Sequence, residues 1–268
     1  MNARARTPIA ALRERVRAAC ELGDLTDLSS QQEELDADPR AGARALAERC
    51  RRFIRAAMLE TERVAALFAL RRRMEATGVR WVAGVDEVGV GPLAGPVVAA
   101  AVVLPQEVEL PGLDDSKRLS PERREHLSLK IREQAEAFAI GEVAVEEIDR
   151  INILNASLEA MRRAVSGLPD ARRPDHVLVD ARRIPGIDMP QTAIVHGDAI
   201  DGSIAAASIV AKVHRDALMK RLDLLHPQYG FRQNMGYPTP PHLKALKEHG
   251  PCAVHRRSFR PVANAVRP

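Results

Sequence analysis

A short glycine- and proline-rich segment between two apolar runs constrains this chain more than any other feature. The apolar residues Trp81-Val82-Ala83 lead into Gly84-Val85-Asp86-Glu87, a loop with three glycines and two prolines follows, and Val97–Leu104 is apolar throughout. Short apolar runs bounded by glycine and proline are typical of buried strands. The pattern therefore predicts a strand that ends in two carboxylates beside a glycine loop, and a second strand after that loop.

The same loop matches a loose dinucleotide-binding pattern, Gly89-x-Gly91-x-x-Ala94. That motif requires a helix directly after the glycines. Here the residues after the loop are rich in valine and are bounded by Pro96 and Pro105, which favours a short buried strand. The sequence therefore argues against a nicotinamide-binding fold.

The composition is that of an ordinary globular protein, with 46% hydrophobic and 28% charged residues in 268. The longest apolar run is too short to cross a bilayer, so no membrane association is expected. The three cysteines are scattered and odd in number, which predicts neither a disulfide framework nor a zinc site. We therefore expect a protein of the reducing cytoplasm.

Basic residues are concentrated towards both ends of the chain. Residues 1–80 contain 16 arginines and 12 acidic residues, and residues 212–268 contain 11 lysines and arginines and 3 acidic residues. Basic flanks around an acidic centre suit a site that binds a polyanion while it holds metal ions, although a solvated basic surface has the same composition. Aromatic residues make up only 3%, which argues against a sheet that stacks the bases of single strands.

The residue pattern changes near Gly78. Before it, proline-containing helix starts at Thr7-Pro8 and Asp38-Pro39 and an apolar stripe from Leu46 predict helices. After it, the predicted strands are 79–86, 95–104, 138–145, 177–179 and 194–195, and the predicted helices are 120–137, 152–167, 204–225 and 242–249. This order predicts an α/β domain with a mixed β-sheet flanked by helices over residues 78–268, preceded by a small all-helical extension over residues 1–77.

Four acidic residues, Asp86, Glu87, Asp180 and Asp198, each follow an apolar run and lie near glycine. Strand ends are where α/β sheets bind ligands, and carboxylates without cysteine or histidine partners favour Mg²⁺ or Mn²⁺. Two such ions can hydrolyse a phosphodiester. A solvated turn explains each residue singly, and a helix cap explains Asp180. Neighbours on a regular strand point to opposite faces, so Asp86 and Glu87 reach one ion only where the strand end relaxes.

Several separate blocks, in order over about residues 79–268, resemble bacterial ribonuclease HII. The blocks are Ala83–Glu87, Gly91–Val97, Asp115-Ser116-Lys117, Glu147-Ile148-Asp149 with Ile151-Asn152, Leu178-Val179-Asp180, Gly197-Asp198, Ile204–Ser208 with Ala211-Lys212 and Arg215-Asp216, Gly236-Tyr237, and His255-Arg256 with Ser258-Phe259. The helical N-terminal segment with Asp38-Pro39-Arg40, and Ala181 after Val179-Asp180, resemble one bacterial subgroup of this family.

The resemblance implies a ribonuclease-H-like fold and a metal-dependent endoribonuclease. Such an enzyme cleaves the RNA strand of RNA–DNA hybrids and incises 5′ of ribonucleotides embedded in duplex DNA. The implied catalytic metal ligands are Asp86, Glu87, Asp180 and Asp198, which would hold two Mn²⁺ or Mg²⁺ ions. The implied substrate-binding residues are Gly89, Val90, Gly91, Ser116, Lys117 and Tyr237. We expect a monomer, and the sequence identifies no protein partner. Arg215-Asp216 is expected to be a pair on a helix surface.

Three positions depart from the family pattern: Val90 stands in place of an arginine, and Ile200 and Met235 in place of lysines. Each missing charge-assisted hydrogen bond would cost about 1.5–3 kcal/mol of substrate binding, not additively. We therefore expect the metal chemistry to be intact and substrate recognition to be weakened or altered. The alternatives are a degenerate relative that binds nucleic acid with little turnover, and an interaction module built on the N-terminal helices.

Overall fold

The computed structural model describes residues 7–265. Residues 1–6 and 266–268, the outer ends of the two predicted domains, lie outside the described residues. The strands are β1 (Val82–Val88), β2 (Val97–Val103), β3 (Ala137–Val143), β4 (His176–Asp180) and β5 (Gln191–Ile194). The α-helices are α1 (Ile9–Leu22), α2 (Leu25–Asp36), α3 (Ala41–Leu67), α4 (Ala69–Ala76), α5 (Pro121–Gln134), α6 (Val145–Ile151), α7 (Ile153–Ser166), α8 (Gly197–Ile200), α9 (Gly202–Leu225), α10 (Phe231–Asn234), α11 (Pro240–His249) and α12 (Arg260–Ala263). No helix in this described part is long and apolar enough to span a membrane.

The five predicted strands are all present, each within a few residues of its predicted bounds. The run after the glycine loop is β2, with all seven residues buried, so the rejection of a dinucleotide fold is confirmed. Helix α5 starts at the predicted position, where the Ser120 side chain accepts from the N–H of Arg123 with Pro121 in the first turn. Helix α1 begins after Pro8, which is its N-cap residue, and no side chain caps it. The short helices α6, α8, α10 and α12 are not predicted, because four to seven residues are too few to show a helical period.

The sheet has the strand order β3-β2-β1-β4-β5. Strands β3, β2 and β1 pair antiparallel, whereas β1, β4 and β5 pair parallel. The register places Val85 of β1 opposite Val179 of β4. Because parallel neighbours end at the same edge, this register brings the carboxyl end of β1 next to that of β4.

The core lies on both faces of the sheet. Alternate residues such as Ala83 and Val85 belong to one apolar cluster with Ala160 and Met161 of α7. The residues between them face the other way, where Val82 of β1 packs with Leu178, Ile204 and side chains of α4. This alternation is the period of two that a strand buried on both faces requires.

The chain divides into two compact units between Ala65 and Ala66. In the first unit, α1, α2 and the first part of α3 share an apolar cluster that includes Val16, Leu28 and Leu46. The second unit contains α4 and everything after it, including the whole sheet. The interpretation of residues 1–77 as one separate extension and of 78–268 as the catalytic domain stays a prediction.

Candidate active site

Three of the four predicted metal carboxylates meet at the end of two parallel strands. Asp86 and Glu87 are the fifth and sixth of the seven residues of β1, and Asp180 is the last residue of β4. One carboxylate oxygen of each lies within 4.8 Å of one oxygen of the other two. The strand pairing thus brings together residues that are more than ninety positions apart in the chain.

Asp86 and Glu87 do leave β1 on opposite faces, as the strand period requires. Asp86 has Ser208 of α9 as a hydrogen-bond partner, and Glu87 has Ser157 of α7. Their carboxylates nevertheless come within reach of a single ion. Glu87 is one residue from the end of β1, where its side chain can turn past the strand towards its neighbours. The pairing of β1 with β2 stays regular through Glu87 and Val88, so the side chains themselves bring the two carboxylates within reach of one ion, without a relaxed strand end.

Burial and mutual repulsion raise the pKa of each of these three carboxyl groups. For Asp86 the pKa lies well above its ordinary value because the group is buried and the charge of Glu87 adds to the effect. Burial followed by the charge of Asp180 raises the pKa of Glu87. Burial also raises the pKa of Asp180, against the opposing N–H of Gly197, which donates to Asp180 Oδ1 at 2.7 Å. One buried and two part-buried acids with raised pKa values form a site that favours a cation.

Asp198 lies beside this group and is bonded to a lysine. Lys117 Nζ donates to Asp198 Oδ2 at 2.7 Å, and the carboxylate is buried whereas the lysine side chain is 76% exposed. The charge of Asp198 contributes to the raised pKa of both Asp86 and Asp180, so it acts on the same group. Burial alone would lower the pKa of Lys117, but its hydrogen bond and charge attraction to Asp198 raise it.

The donor set fits a divalent metal ion of the Mg²⁺ or Mn²⁺ class. All the side chains that could bind the ion are carboxylates, the hard oxygen ligands that these ions prefer. Glu87 Oε2 is buried and has no hydrogen-bond partner among the described residues. An ionised oxygen of this kind is costly to bury unless a cation or a donor satisfies it. Asp86, Glu87 and Asp180, with Asp198 beside them, would hold the metal.

Two buried arginines donate hydrogen bonds to the backbone of the glycine loop after β1. Arg256 donates four hydrogen bonds, to the carbonyl oxygens of Gly89, Val90, Pro92 and Gly95, at 2.6–3.1 Å. Arg215 donates to the carbonyl oxygens of Ala94, Pro96 and Met235 at 3.0–3.1 Å. Burial lowers the pKa of Arg256 to about 9 and that of Arg215 to about 10.

Seven loop and neighbouring carbonyl groups therefore face the two arginines. Gly89 has φ +92°, and a Cβ there would lie 2.3 Å from Arg215 Nε. Only glycine fits at this position, because the backbone is in the left-handed region and the arginine fills the side-chain space. The backbone conformation of the loop is thus fixed by side chains that come from distant parts of the chain.

The prediction that Arg215 lies on a helix surface is wrong. Its side chain is completely buried, and Asp216 instead pairs with Lys212 and Arg124. Sequence spacing carried a signal that could have found it. Arg215 falls four residues after Ala211 and four before Met219, both buried on α9, and so continues the apolar stripe of that helix. The residue type argues against this signal, because arginine side chains are rarely buried.

Tyr237 lies opposite the glycine loop and is 41% exposed. A Cβ on Gly91 would meet Tyr237 Cε1 at 3.5 Å, so the ring faces the backbone of the loop. The N–H of Leu93 donates to the carbonyl of Gly236 at 2.8 Å, which ties the tyrosine segment to the loop. The tyrosine ring therefore lies against the backbone of the loop that follows β1.

A pair of buried histidines holds the backbone of Tyr237. The N–H of Cys252 donates to His255 Nδ1 at 3.1 Å, so the proton of His255 is on Nε2. His255 Nε2 donates to His242 Nε2 at 3.0 Å, and His242 Nδ1 donates to the carbonyl oxygen of Tyr237 at 2.8 Å. A backbone donor at one end and a carbonyl acceptor at the other fix both tautomers. Neither histidine was assigned this role from sequence.

The remaining predicted substrate residues lie around the same surface. Ser116 is buried, and its hydroxyl is 2.9 Å from that of Ser208, the partner of Asp86. Val90 and Ile200, where the family pattern has cations, are 38% and 56% exposed. The roles of these residues towards substrate stay predictions. Ala181, directly after Asp180, has φ +55°, a left-handed conformation that glycine adopts more easily.

A mixed five-stranded sheet with carboxylates at the ends of β1 and β4 defines a metal-dependent nuclease of the ribonuclease-H-like class. A sequence model of the Ribonuclease HII family matches residues 83–262, more than half of the chain. Ribonuclease HII of Myxococcus xanthus is 53% identical over 235 residues, which cover 87% of this chain and 80% of that protein. Ribonuclease HII of Moorella thermoacetica is 55% identical over 207 residues, 77% of this chain and 100% of that protein. The chain belongs to the ribonuclease HII family.

Solved structures agree with this assignment. The chain is similar to the ribonuclease H2 of Pyrococcus horikoshii, with a TM-score of 0.58 and 28% identity over 69% of this chain and 96% of that one. It is equally similar to the ribonuclease HII of Archaeoglobus fulgidus, solved as a PCNA complex, with a TM-score of 0.58 and 28% identity over 70% and 97% of the two chains. The protein Bst-RNase HIII, solved with Mn²⁺, is 19% identical at a TM-score of 0.58 and shares the fold.

The predicted family, fold class and enzyme class are therefore confirmed. The chain is a ribonuclease H, a hydrolase and endonuclease that depends on a divalent metal, and its family acts on RNA–DNA hybrids. The acidic group at the strand ends fits the metal site of such an enzyme.

Proposed function

We propose that this chain incises duplex DNA on the 5′ side of an embedded ribonucleotide, in addition to cleaving the RNA strand of hybrids. The catalytic metal ligands in this proposal are Asp86, Glu87, Asp180 and Asp198. The observation that carries it is the group of three carboxylates, with the unpartnered Glu87 Oε2, directly beside the glycine loop and Tyr237. The products are a 3′-hydroxyl and a 5′-phosphate.

Asp86, Glu87, Asp180 and Asp198 would hold two divalent ions, which would supply an activated water and stabilisation of the leaving 3′-oxygen. The chain's own residues do the rest. Burial and then the charges of neighbouring carboxylates raise the pKa values of Asp86, Glu87 and Asp180, and a bound cation would offset both effects. Lys117, exposed and next to Asp198, is positioned to meet a phosphate of the substrate backbone. Mg²⁺ and Mn²⁺ both suit this all-oxygen set.

The glycine loop is the proposed reader of the ribose 2′-hydroxyl. Arg256 and Arg215 occupy its carbonyl groups, so the loop presents N–H groups rather than carbonyls on the side away from them. The N–H groups of Leu93 and Gly95 are bonded within the protein, whereas those of Val90 and Gly91 make no hydrogen bond among the described residues. Tyr237 faces Gly91 and would pack against the sugar of the ribonucleotide.

The test is a labelled DNA duplex with one ribonucleotide, incubated with Mg²⁺ or with Mn²⁺. A metal-dependent nick 5′ of the ribonucleotide is expected, about 10³-fold slower or more in Asp86→Asn. Asp188→Asn is the matched control, because it removes the same charge from a side chain that is 96% exposed and is not part of the acidic group. An all-DNA duplex should stay intact. Cleavage of long hybrids alone would remove the embedded-ribonucleotide activity from the proposal.

The degenerate alternative, a protein that binds nucleic acid with little turnover, is favoured by no feature of the described residues. Three of the predicted carboxylates form one group with Asp198 beside them, and relatives of about 50% identity carry the name ribonuclease HII. The absence of cationic side chains at Val90, Ile200 and Met235 should instead weaken the affinity for the nucleic-acid substrate. Val90→Arg should lower the KM for the single-ribonucleotide duplex by about tenfold, the value of one charge-assisted contact. An unchanged KM and cleavage position would show that Val90 is not a recognition position.

The proposed partners of this chain are the RNA–DNA hybrid and the ribonucleotide-containing duplex. The similar ribonuclease HII of Archaeoglobus fulgidus was solved in complex with PCNA. We propose that the chain is a monomer and acts in the cytoplasm. Sedimentation of the purified protein tests whether it is a monomer.

A further inference from the structure

The described arginines of the first unit fall into two groups. Those that pair with an acidic side chain of the same unit are Arg15, Arg17, Arg40, Arg51 and Arg63. Those that form no ion pair with a described residue are Arg13, Arg44, Arg49, Arg52 and Arg55. All but the first of this second group lie on α3, within twelve residues. The unpaired positive charge of this unit is therefore concentrated on one helix.

The unpaired arginines of α3 lie on the side of the helix that faces solvent. We call them the α3 arginine face, which consists of Arg44, Arg49, Arg52 and Arg55, and all four are exposed. The opposite side of α3 is buried, because Leu46 and Cys50 pack in the apolar cluster with α1 and α2. At 1.5 Å per residue the face extends about 16 Å along the helix axis.

The spacing of the α3 arginine face places like charges next to one another. Arg49, Arg52 and Arg55 follow at intervals of three, so they are neighbours on successive turns. Like charges at such spacings destabilise a helix. The one acidic residue between positions 44 and 55 is Glu48, and its Oε2 accepts from Arg51 Nε at 3.0 Å. The face therefore carries a repulsion that a bound polyanion would offset.

The phosphate backbone of a nucleic acid is the polyanion that suits this face. The family acts on RNA–DNA hybrids, so such a polyanion is its substrate. A guanidinium group binds two phosphate oxygens at once through its planar fork of N–H groups, which the ammonium group of lysine does not. Residues 1–80 contain 16 arginines and no lysine. Both the charge and the residue type therefore fit phosphate groups.

We propose that the α3 arginine face binds phosphate groups of the nucleic-acid substrate, as a second binding surface besides the carboxylate site. It supplies affinity that the second unit lacks at Val90, Ile200 and Met235, where the family pattern has cations. It also gives a role to a segment that lies before residue 83, where the match to the family begins. The inference rests on the family's action on RNA–DNA hybrids and not on incision at embedded ribonucleotides.

The test is binding of the full chain to a long RNA–DNA hybrid at a series of NaCl concentrations, in EDTA to prevent cleavage. The logarithm of the binding constant falls with the logarithm of the salt concentration, with a slope of about 0.9 per phosphate contact. Arg52→Gln/Arg55→Gln should therefore reduce the slope by about 2 and weaken binding by about tenfold or more near physiological salt. Arg52→Lys/Arg55→Lys keeps both charges and should keep most of the slope.

The matched control is Arg15→Gln/Arg17→Gln on α1. It makes the same two changes of residue type and the same change of net charge, but it removes arginines that are paired with Glu34 and Glu14. Its affinity and its slope should equal those of the wild-type chain. An equal loss in the control would show a general effect of net charge and would overturn the proposal.

Cleavage and stability separate a binding surface from other roles. With Mn²⁺ and the hybrid, Arg52→Gln/Arg55→Gln should raise KM and leave kcat and the cleavage positions unchanged, because phosphate contacts hold the substrate equally before and during the reaction. Its melting temperature should not fall, since the change removes neighbouring like charges.

An unchanged salt slope in Arg52→Gln/Arg55→Gln would overturn the proposal, and so would a lower kcat at wild-type affinity. The proposed incision at embedded ribonucleotides fails by a different result. Intact single-ribonucleotide duplex after incubation with the wild-type chain would overturn that activity alone, because the test of the α3 arginine face uses the hybrid.

Discussion

The second unit contains two buried clusters of charged side chains that are built in opposite ways. Around the glycine loop, Arg215 and Arg256 are buried, and seven carbonyl oxygens accept hydrogen bonds from them. At the end of β1 and β4, three carboxylates are brought together, their pKa values are raised, and Glu87 Oε2 has no hydrogen-bond partner among the described residues.

The difference teaches where this protein keeps its chemistry. A buried charge with a full set of hydrogen bonds stabilises the structure and binds nothing further. A buried charge without partners is costly in the folded protein, and that cost makes a cation a favourable ligand. We therefore assign a structural role to the arginine cluster and the catalytic role to the carboxylate cluster, although both lie near the same glycine loop.

The largest effect should come from breaking the satisfied cluster. Arg256→Met leaves four buried carbonyl groups without a donor and should lower the free energy of unfolding by about 3–5 kcal/mol. Urea unfolding measures it. Arg257→Met, the exposed neighbour, should stay within about 0.5 kcal/mol of wild type. A loss below about 1 kcal/mol in Arg256→Met would remove the contrast between the two clusters.

The histidine pair beside the arginines should make stability depend on pH. Burial, with the charge of His242, lowers the pKa of His255 to about 4 from 6.5. Above pH 6.5 the histidine is neutral in both states, and between 6.5 and 4 only the unfolded chain takes up the proton. Stability is therefore complete above pH 6.5 and falls by up to about 3 kcal/mol as the pH drops to 4.

Denaturant unfolding at a series of pH values checks this expectation. His255→Gln removes the titrating group and should flatten the dependence between pH 6.5 and 4, even if the variant is less stable throughout. His126→Gln serves as the control, because His126 is on the exposed face of α5. An unchanged slope in His255→Gln would show that His255 is not the group that titrates.

The carboxylate cluster should respond in the opposite direction to the arginine cluster. In EDTA, Asp86→Asn removes a repelling charge and should raise the free energy of unfolding by about 1–2 kcal/mol, while it abolishes cleavage. Because the pKa of Asp86 lies above its ordinary value of 3.8, the folded wild-type protein loses stability as the pH rises through that pKa. The gain from Asp86→Asn should therefore be larger at pH 8 than at pH 5.

Thermal unfolding with and without Mn²⁺ measures this gain. Saturating Mn²⁺ should stabilise the wild-type protein and not Asp86→Asn, so the order of the two melting temperatures should reverse. A lower melting temperature of Asp86→Asn than of wild type in EDTA would show that the charge of Asp86 does not destabilise the folded protein. The contrast between the carboxylate cluster and the arginine cluster would then be wrong.

The smallest effect concerns the backbone next to Asp180. Ala181 has φ +55°, so Ala181→Gly should stabilise the protein by about 0.5 kcal/mol, the cost of the left-handed alanine less the entropy of glycine. Ala171→Gly, in the short 3₁₀ turn of residues 170–172, should destabilise it instead. Melting temperatures decide between the signs, and a loss of stability in Ala181→Gly would contradict the assignment of strain.

Much of this fold could be predicted because its elements are locally encoded. The apolar runs at β1 and β2 and the caps at Ser120 and Asn152 are short-range patterns that appear directly in the sequence. Asp86, Glu87 and Asp180 were found for the same reason, because each ends an apolar run. The position of Lys117 against Asp198 was not predictable, since the two residues are 81 positions apart and are joined only by the fold.

The residues that sequence reasoning missed share a physical cause. Arg71, Arg215, Arg256 and His242 are polar side chains whose partners are backbone groups or charges in distant segments. Their residue types suggest the surface, and only their partners explain their burial.

The amino-acid order by itself determined the strands, the principal helices, the family and the identity of three clustered acids, since these depend on local spacing and on motifs. Tertiary structure decided which charges are satisfied and which are not. Parallel pairing of β1 with β4 set Asp180 beside Asp86, and packing of α9 and the C-terminal segment placed two arginines behind the glycine loop. Charge interactions act through space with little regard for chain separation, so the energetics of this site exist only in the folded protein.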